Sequence, residues 1–176
     1  MILITGGTGH LGNVLVKQLI NLGEKPVVYT HPSDRCKSLS NVDVEIVKAD
    51  IRDKNALEKY IKESETVFHL AAVISILPWK SKAIEDVNVG GTKNVAYLCM
   101  KYNKKLIYVS SVHAFSEKED GHIIDEKTPT LPELTTGAYG KSKAKAALLI
   151  MNYAKAGLNV ITICPTGIIG PFDYKP

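Results

Sequence analysis

Thr5-Gly6-Gly7-Thr8-Gly9-His10-Leu11-Gly12 is the stretch on which the reading of this chain turns. The apolar run Ile2–Thr5 leads directly into it, and an apolar-periodic segment from His10 leads out. In such a strand–loop–helix passage Gly6 permits the tight turn, Gly9 lets backbone approach an anion, and Gly12 allows close helix–strand packing. The helix start then offers free N–H groups and a positive dipole end. That suits the diphosphate of a dinucleotide; strand, spacing and helix together argue against a merely flexible turn.

Outward from the loop, short β-branched runs alternate with helical patterns. Strands are predicted at Ile2–Thr5, Pro26–Thr30, Val44–Val47, Thr66–Leu70, Leu106–Ser110 and Val160–Cys164. Helices are predicted at His10–Leu22, Lys54–Glu63, Lys82–Tyr102 and Tyr139–Ala156. In the first helix Leu11, Val14, Leu15, Gln18 and Leu19 fall on one side, and Gly23 stops it. Nearly continuous apolar strands, each followed by a crossover helix, imply a parallel sheet covered on both faces. Right-handed crossovers make it doubly wound: an α/β Rossmann fold of three layers and about six strands. The one long irregular stretch, His113–Gly137, follows a strand's carboxyl end, where ligands bind in such sheets.

Bulk properties narrow the class. With 176 residues, 45% hydrophobic and 23% charged, the chain is sized for one soluble domain, 1–176. A net charge of +4, spread along the chain, leaves no basic stripe for nucleic acid. Cys36, Cys99 and Cys164 are too scattered for a disulfide framework or zinc site, so no metal is expected and the compartment reads as reducing and cytoplasmic. Cys99 and Cys164, inside apolar runs, are expected to be buried. No signal peptide fits the start and no apolar run is long enough to span a membrane.

Tyr139 and Lys143 stand four apart on a predicted helix and so point to the same side. An ammonium there would stabilise the phenolate and lower a pKa that is normally about 10, so that the Tyr exchanges protons near neutrality. A surface pair is the plain alternative. Ser110-Ser111 closes the fifth strand, where a loop hydrogen bond is the ordinary role. After the second strand, Thr30, His31, Ser33, Arg35 and Lys37 suit a 2′-phosphate better than a bare ribose diol, which favours NADP over NAD. Ordinary surface charges are the competing reading. Asp50 follows the third strand, where an Asp also commonly caps a helix. His69 reads as a packed core histidine.

The Gly-x-x-Gly-x-x-Gly spacing, the Ser-Ser pair, Tyr139-x-x-x-Lys143 and Pro165-Thr166-Gly167-Ile168-Ile169-Gly170-Pro171 come in one order across the chain. In this the sequence resembles the extended short-chain dehydrogenase/reductase superfamily, nearest its dihydroflavonol-reductase-like and sugar-epimerase-like members. The resemblance implies NADP or NAD as cofactor, a small-molecule substrate, and a homodimer through the two long helices. It implies that Ser111 bonds the reacting oxygen, Tyr139 exchanges the proton and Lys143 tunes it while bonding ribose hydroxyls. Thr8, His10 and Leu11 join the glycines at the cofactor. Asp50 would take the adenine amino group and Ile51 cover the ring, with Leu70, Ala71 and Ala72 lying against the ribose. Asn88 would organise the central helix, and Pro165 and Ile168 cover the nicotinamide.

Two departures qualify it. The family's sugar dehydratases place an acidic pair after the strand-end hydroxyl, whereas Val112-His113 stand here, which disfavours dehydration. Extended members also continue into a last strand and a substrate-binding domain, so this chain reads as a fragment or a shortened protein. Three functions stay in play: carbonyl–alcohol oxidoreduction, nucleotide-sugar epimerisation, and a cofactor-sensing or interaction module without catalysis.

Overall fold

The structure, a computed structural model, describes residues 1–75, 81–116 and 123–173. Six strands form one parallel sheet: β1 (Ile2–Thr5), β2 (Pro26–Thr30), β3 (Glu45–Lys48), β4 (Thr66–His69), β5 (Lys105–Val109) and β6 (Val160–Ile163). Their order is β3-β2-β1-β4-β5-β6. Pairing is in simple register, Ile2 opposite both Pro26 and Thr66. This is the doubly wound order, with its switch point between β1 and β4, where a crevice opens at the carboxyl ends.

Side chains alternate across the sheet with period two. Leu3, Val27, Tyr29, Val67, Leu106 and Tyr108 face one layer, where α2 (Lys54–Glu63), α4 (Thr92–Lys101) and α5 (Gly137–Lys155) bring Leu57, Ile61, Val95, Leu98, Ala146 and Ile150. Ile4 and Val28 face the other, against Val16 of α1 (His10–Asn21) and Leu39.

The buried face of α1 is rotated from the one the periodicity suggested. Leu15 and Leu19 pack against the core as expected, but Gly12, Asn13 and Val16 are the buried residues, Leu11 is 36% exposed, and Gln18 is exposed. A Cβ at Gly12 would collide with the Gly6 carbonyl and sit 2.7 Å from Gly7 Cα. Backbone contact with the loop therefore sets the rotation of the helix, ahead of side-chain hydrophobicity.

The second long helix is also different. Lys82–Tyr102 does not run as one α-helix: α3 (Ser81–Glu85) passes into a π-helical stretch, Asp86–Gly91, before α4 begins. Two side chains account for the widened turn. Asn88 reaches out to the backbone of Val73, and the Thr92 hydroxyl donates to the Asn88 carbonyl at 2.6 Å. Such insertions often mark functional sites.

Nor is every strand covered. Among the described residues β6 has a strand neighbour on one side alone; Ile161 and Ile163 are 48% and 49% exposed, and Cys164 is half-buried rather than buried. Cys99 is fully buried as expected. Among the described residues no helix is long and apolar enough to cross a membrane, and no cluster of three or more metal-ligating side chains occurs.

Candidate cofactor-binding and active site

A cleft of about 220 Å³ opens at the switch point, lined by Gly6, Thr8, Gly9, His31, Asp50, Ile51, Leu70, Ala71 and Ala72, with Thr30, Asp34 and Val73 beside them. Nine residues expected at a cofactor thus meet around one space, drawn from the ends of four strands. Its floor is backbone. Gly6 has φ +75°, and a Cβ there would lie 2.6 Å from the Ala71 amide nitrogen. The two loops touch only because neither carries bulk at that point.

The α1 N-terminus fits an anion. Its N-cap is Gly9, no side chain caps it, and its first turn holds no acid. The next helix on this edge differs: Asp53 caps α2, accepting from the Ala56 amide at 3.0 Å. Asp50 is therefore not the cap that its position also allowed. It accepts from the Arg52 amide and from Nε, both at 2.9 Å, and the guanidinium holds its carboxyl down at about 2.

The loop after β2 is arranged otherwise than its composition suggested. Asp34, not Arg35, enters the cleft, where its carboxylate accepts from the Thr8 hydroxyl at 2.7 Å and the Thr30 hydroxyl at 3.3 Å. Cys36 adopts φ 53° and donates its amide to Asp34 Oδ1 at 2.7 Å, and this turns the acid inward. Arg35 and Lys37 are exposed and outside the cleft lining. Nothing in the spacing announces this bend.

A second group, outside the cleft lining, stands beyond the carboxyl end of β5: Ser111 is 7% exposed, Tyr139 is half-buried and Lys143 is 4% exposed. Tyr139 does not have the lowered pKa expected of a phenol beside an ammonium. Burial raises it, opposed only by the Ser111 hydroxyl. The reason is geometric: Lys143 Nζ donates to the Val109 carbonyl at 2.7 Å and lies 4.9 Å over the Tyr108 ring. Burial brings the Lys143 ammonium down to about 8. His69 packs beside this group, stacked on Tyr108, bonded to Thr5 and Thr92 at 2.7 and 2.9 Å, and held down at about 3 by burial.

Asn88 ties the cleft wall at Val73 to this group. Its Oδ1 accepts from Val73 N at 2.7 Å, and its Nδ2 donates to Val73 O and to Ser142 Oγ. Ser142 in turn donates to the Tyr139 carbonyl at 2.7 Å. The loop after β4, the π turn and α5 are thereby locked. His10, Leu11, Pro165 and Ile168 lie outside the cleft lining. His10 bonds the Pro171 carbonyl at 3.2 Å, Leu11 is partly exposed, Pro165 accepts from Val112, and Ile168 is exposed. Sequence reasoning missed Asn13, fully buried, whose amide donates to the Gly9, His10 and Phe172 carbonyls and so fastens segment 171–173 over the start of α1. A polar residue on the first turn beside the glycines was the available signal.

The sequence profile of the NAD dependent epimerase/dehydratase family matches residues 2–176, and the chain belongs to that family. It is 32% identical over 174 residues to a putative dihydroflavonol 4-reductase of Synechocystis sp., covering 98% of this chain and 50% of that one. It is 32% identical over 187 residues to a decarboxylating sterol-4-alpha-carboxylate 3-dehydrogenase of Saccharomyces cerevisiae, covering 99% and 52%. Among solved structures, a dTDP-glucose 4,6-dehydratase of Bacillus anthracis in complex with NAD superposes with a TM-score of 0.83 at 27% identity, covering 98% of this chain and 56% of that one. The chain spans about half the length of the curated relatives it matches.

Proposed function

We propose that this member of the NAD dependent epimerase/dehydratase family is the dinucleotide-binding domain, residues 1–176, of an oxidoreductase acting on a carbonyl or alcohol carbon. The observation that carries the reading is the meeting of Ser111, Tyr139 and buried Lys143 at the same sheet edge as a glycine cradle with an uncapped helix start. A bound nicotinamide supplies the hydride acceptor or donor. Ser111 holds the substrate oxygen, and Tyr139 exchanges a proton with it through its hydroxyl. Lys143, on leaving the Val109 carbonyl, supplies the positive charge that favours the phenolate. Asn88 and Ser142 hold the Tyr139 turn in place.

Relatives of reductase and dehydrogenase type support oxidoreduction over epimerisation, and the Val112-His113 pair after Ser111 counts against dehydration. For the cofactor, the position of Asp34 supports NAD rather than NADP. A carboxylate beside the adenosine ribose accepts from a diol and repels a 2′-phosphate. The cations that favoured NADP in the sequence stand outside the cleft. Exposed Tyr97, Met100 and Met151 on α4 and α5 support pairing of two copies, and three free cysteines support a reducing, cytoplasmic setting. Calorimetric titration with NAD and NADP tests the reading: NAD binds tighter by about tenfold, and absence of binding by both overturns it.

A further inference from the structure

We propose that Tyr108 is a positioning residue: the face of its ring, propped by His69, keeps the Lys143 ammonium charged in a place where burial works against charge. Its use in catalysis rests on the oxidoreductase reading above. Lys143 falls with Ala146, Ala147 and Ile150 on the buried stripe of α5 and is 4% exposed. Two groups meet its Nζ. The Val109 carbonyl accepts from it at 2.7 Å, and the centroid of the Tyr108 ring is 4.9 Å away. Among the described residues no carboxylate pairs with it. The charge is answered instead by a carbonyl dipole and by the negative face of a ring.

That ring is fixed from behind. Tyr108 is 1% exposed and lies opposite His69 in the β4–β5 register. The two rings stack with centroids 5.7 Å apart and planes at 28°. The tautomer of His69 follows from its partners. The Thr92 hydroxyl gives its proton to the Asn88 carbonyl at 2.6 Å, so it accepts from His69 Nε2 at 2.9 Å. Burial holds the imidazole neutral, so its Nδ1 accepts from the Thr5 hydroxyl at 2.7 Å. Both nitrogens are engaged, and the stack carries no second positive charge to oppose the ammonium.

The other ionisable groups around Lys143 leave the cation to the ring. Cys164, beyond β6, is a thiol, and Tyr139, one turn earlier on α5, is a phenol; burial raises the pKa of both. Each is therefore neutral near pH 7. Burial brings the ammonium itself down to about 8. A further fall would leave it largely uncharged near neutrality, where a Tyr139 phenolate needs it.

The test is an NMR titration of the cofactor-free chain with lysine isotope-labelled at Cε, the Lys143 signal being identified by its loss in Lys143→Met. Tyr108→Phe keeps the ring face. Difluorophenylalanine and pentafluorophenylalanine placed at the same position drain that face of negative charge at nearly constant shape. The Lys143 midpoint stays within about 0.3 pH units in Tyr108→Phe, falls with two fluorines, and falls by about one pH unit with five. A midpoint unmoved across the fluorine series overturns the proposal, because a ring that only fills space gives that result. So does a rise, which is what water admitted by loosened packing produces. If the pentafluoro chain does not fold, the step from Phe to the difluoro ring carries the same decision. The titration uses no dinucleotide, so its outcome is separate from the calorimetric one that tests the cofactor reading.

Discussion

The glycine loop and the group around Lys143 are built in opposite ways. At the loop the surface is backbone: Gly6 and Gly12 lie where side chains would collide, and the helix start has no side-chain cap. At the other it is side chains held in the interior: Ser111, Lys143 and His69 are each at most 7% exposed. The first is shaped by what is omitted. The second stores charge and hydroxyls in a medium that makes them costly, and it is tuned by burial. Substitution at the first should therefore act on shape, and at the second on protonation.

The largest effect expected is at the omitted side chains. Gly12→Val puts atoms on the Gly6 carbonyl, so dinucleotide affinity should fall below detection by calorimetry, with a lowered melting temperature. Unchanged affinity would mean that the cradle is not made of backbone. In the other group, Tyr139→Phe removes one oxygen without changing shape. On this reading kcat should drop by about 10² to 10⁴ while the dinucleotide Kd stays within about threefold. Equal losses in both would erase the contrast between the two regions.

A smaller effect lies in the pH dependence of folding. His69 is held down at about 3, so below its unfolded pKa of about 6.5 the unfolded chain gains a proton that the folded chain refuses. Stability should fall by about 2 kcal/mol between pH 6.5 and 5, measured by urea unfolding. Lys143, brought down to about 8, acts in the alkaline window. From about pH 8 to 10 the unfolded chain keeps the proton that the folded chain has lost, so the contribution of this group to stability rises by on the order of 2 kcal/mol. Lys143→Met should remove that contribution. The smallest effect expected is Asp34→Ser, which should shift the NAD-to-NADP affinity ratio about tenfold towards NADP, read by paired titrations. An unmoved ratio would remove Asp34 from cofactor selection.

The sequence by itself determined the strand positions, the doubly wound class and the glycine loop. These rest on short-range facts: period-two and period-3.6 hydrophobicity, and glycines spaced within one turn of a helix. It also marked Tyr139 and Lys143, because four-residue spacing on a helix fixes a shared face, while Ser111 was marked by the family resemblance. Tertiary structure alone decided the rest. Whether Asp34 or Arg35 entered the cleft depended on the bend at Cys36 and on the Thr8 and Thr30 hydroxyls. The break in the second long helix depended on Asn88 finding the Val73 backbone. The resting place of the Lys143 ammonium depended on the Val109 carbonyl, 34 positions away in the chain. Each is a hydrogen bond between segments that no local pattern brings together, and burial sets its strength only after the sheet has assembled.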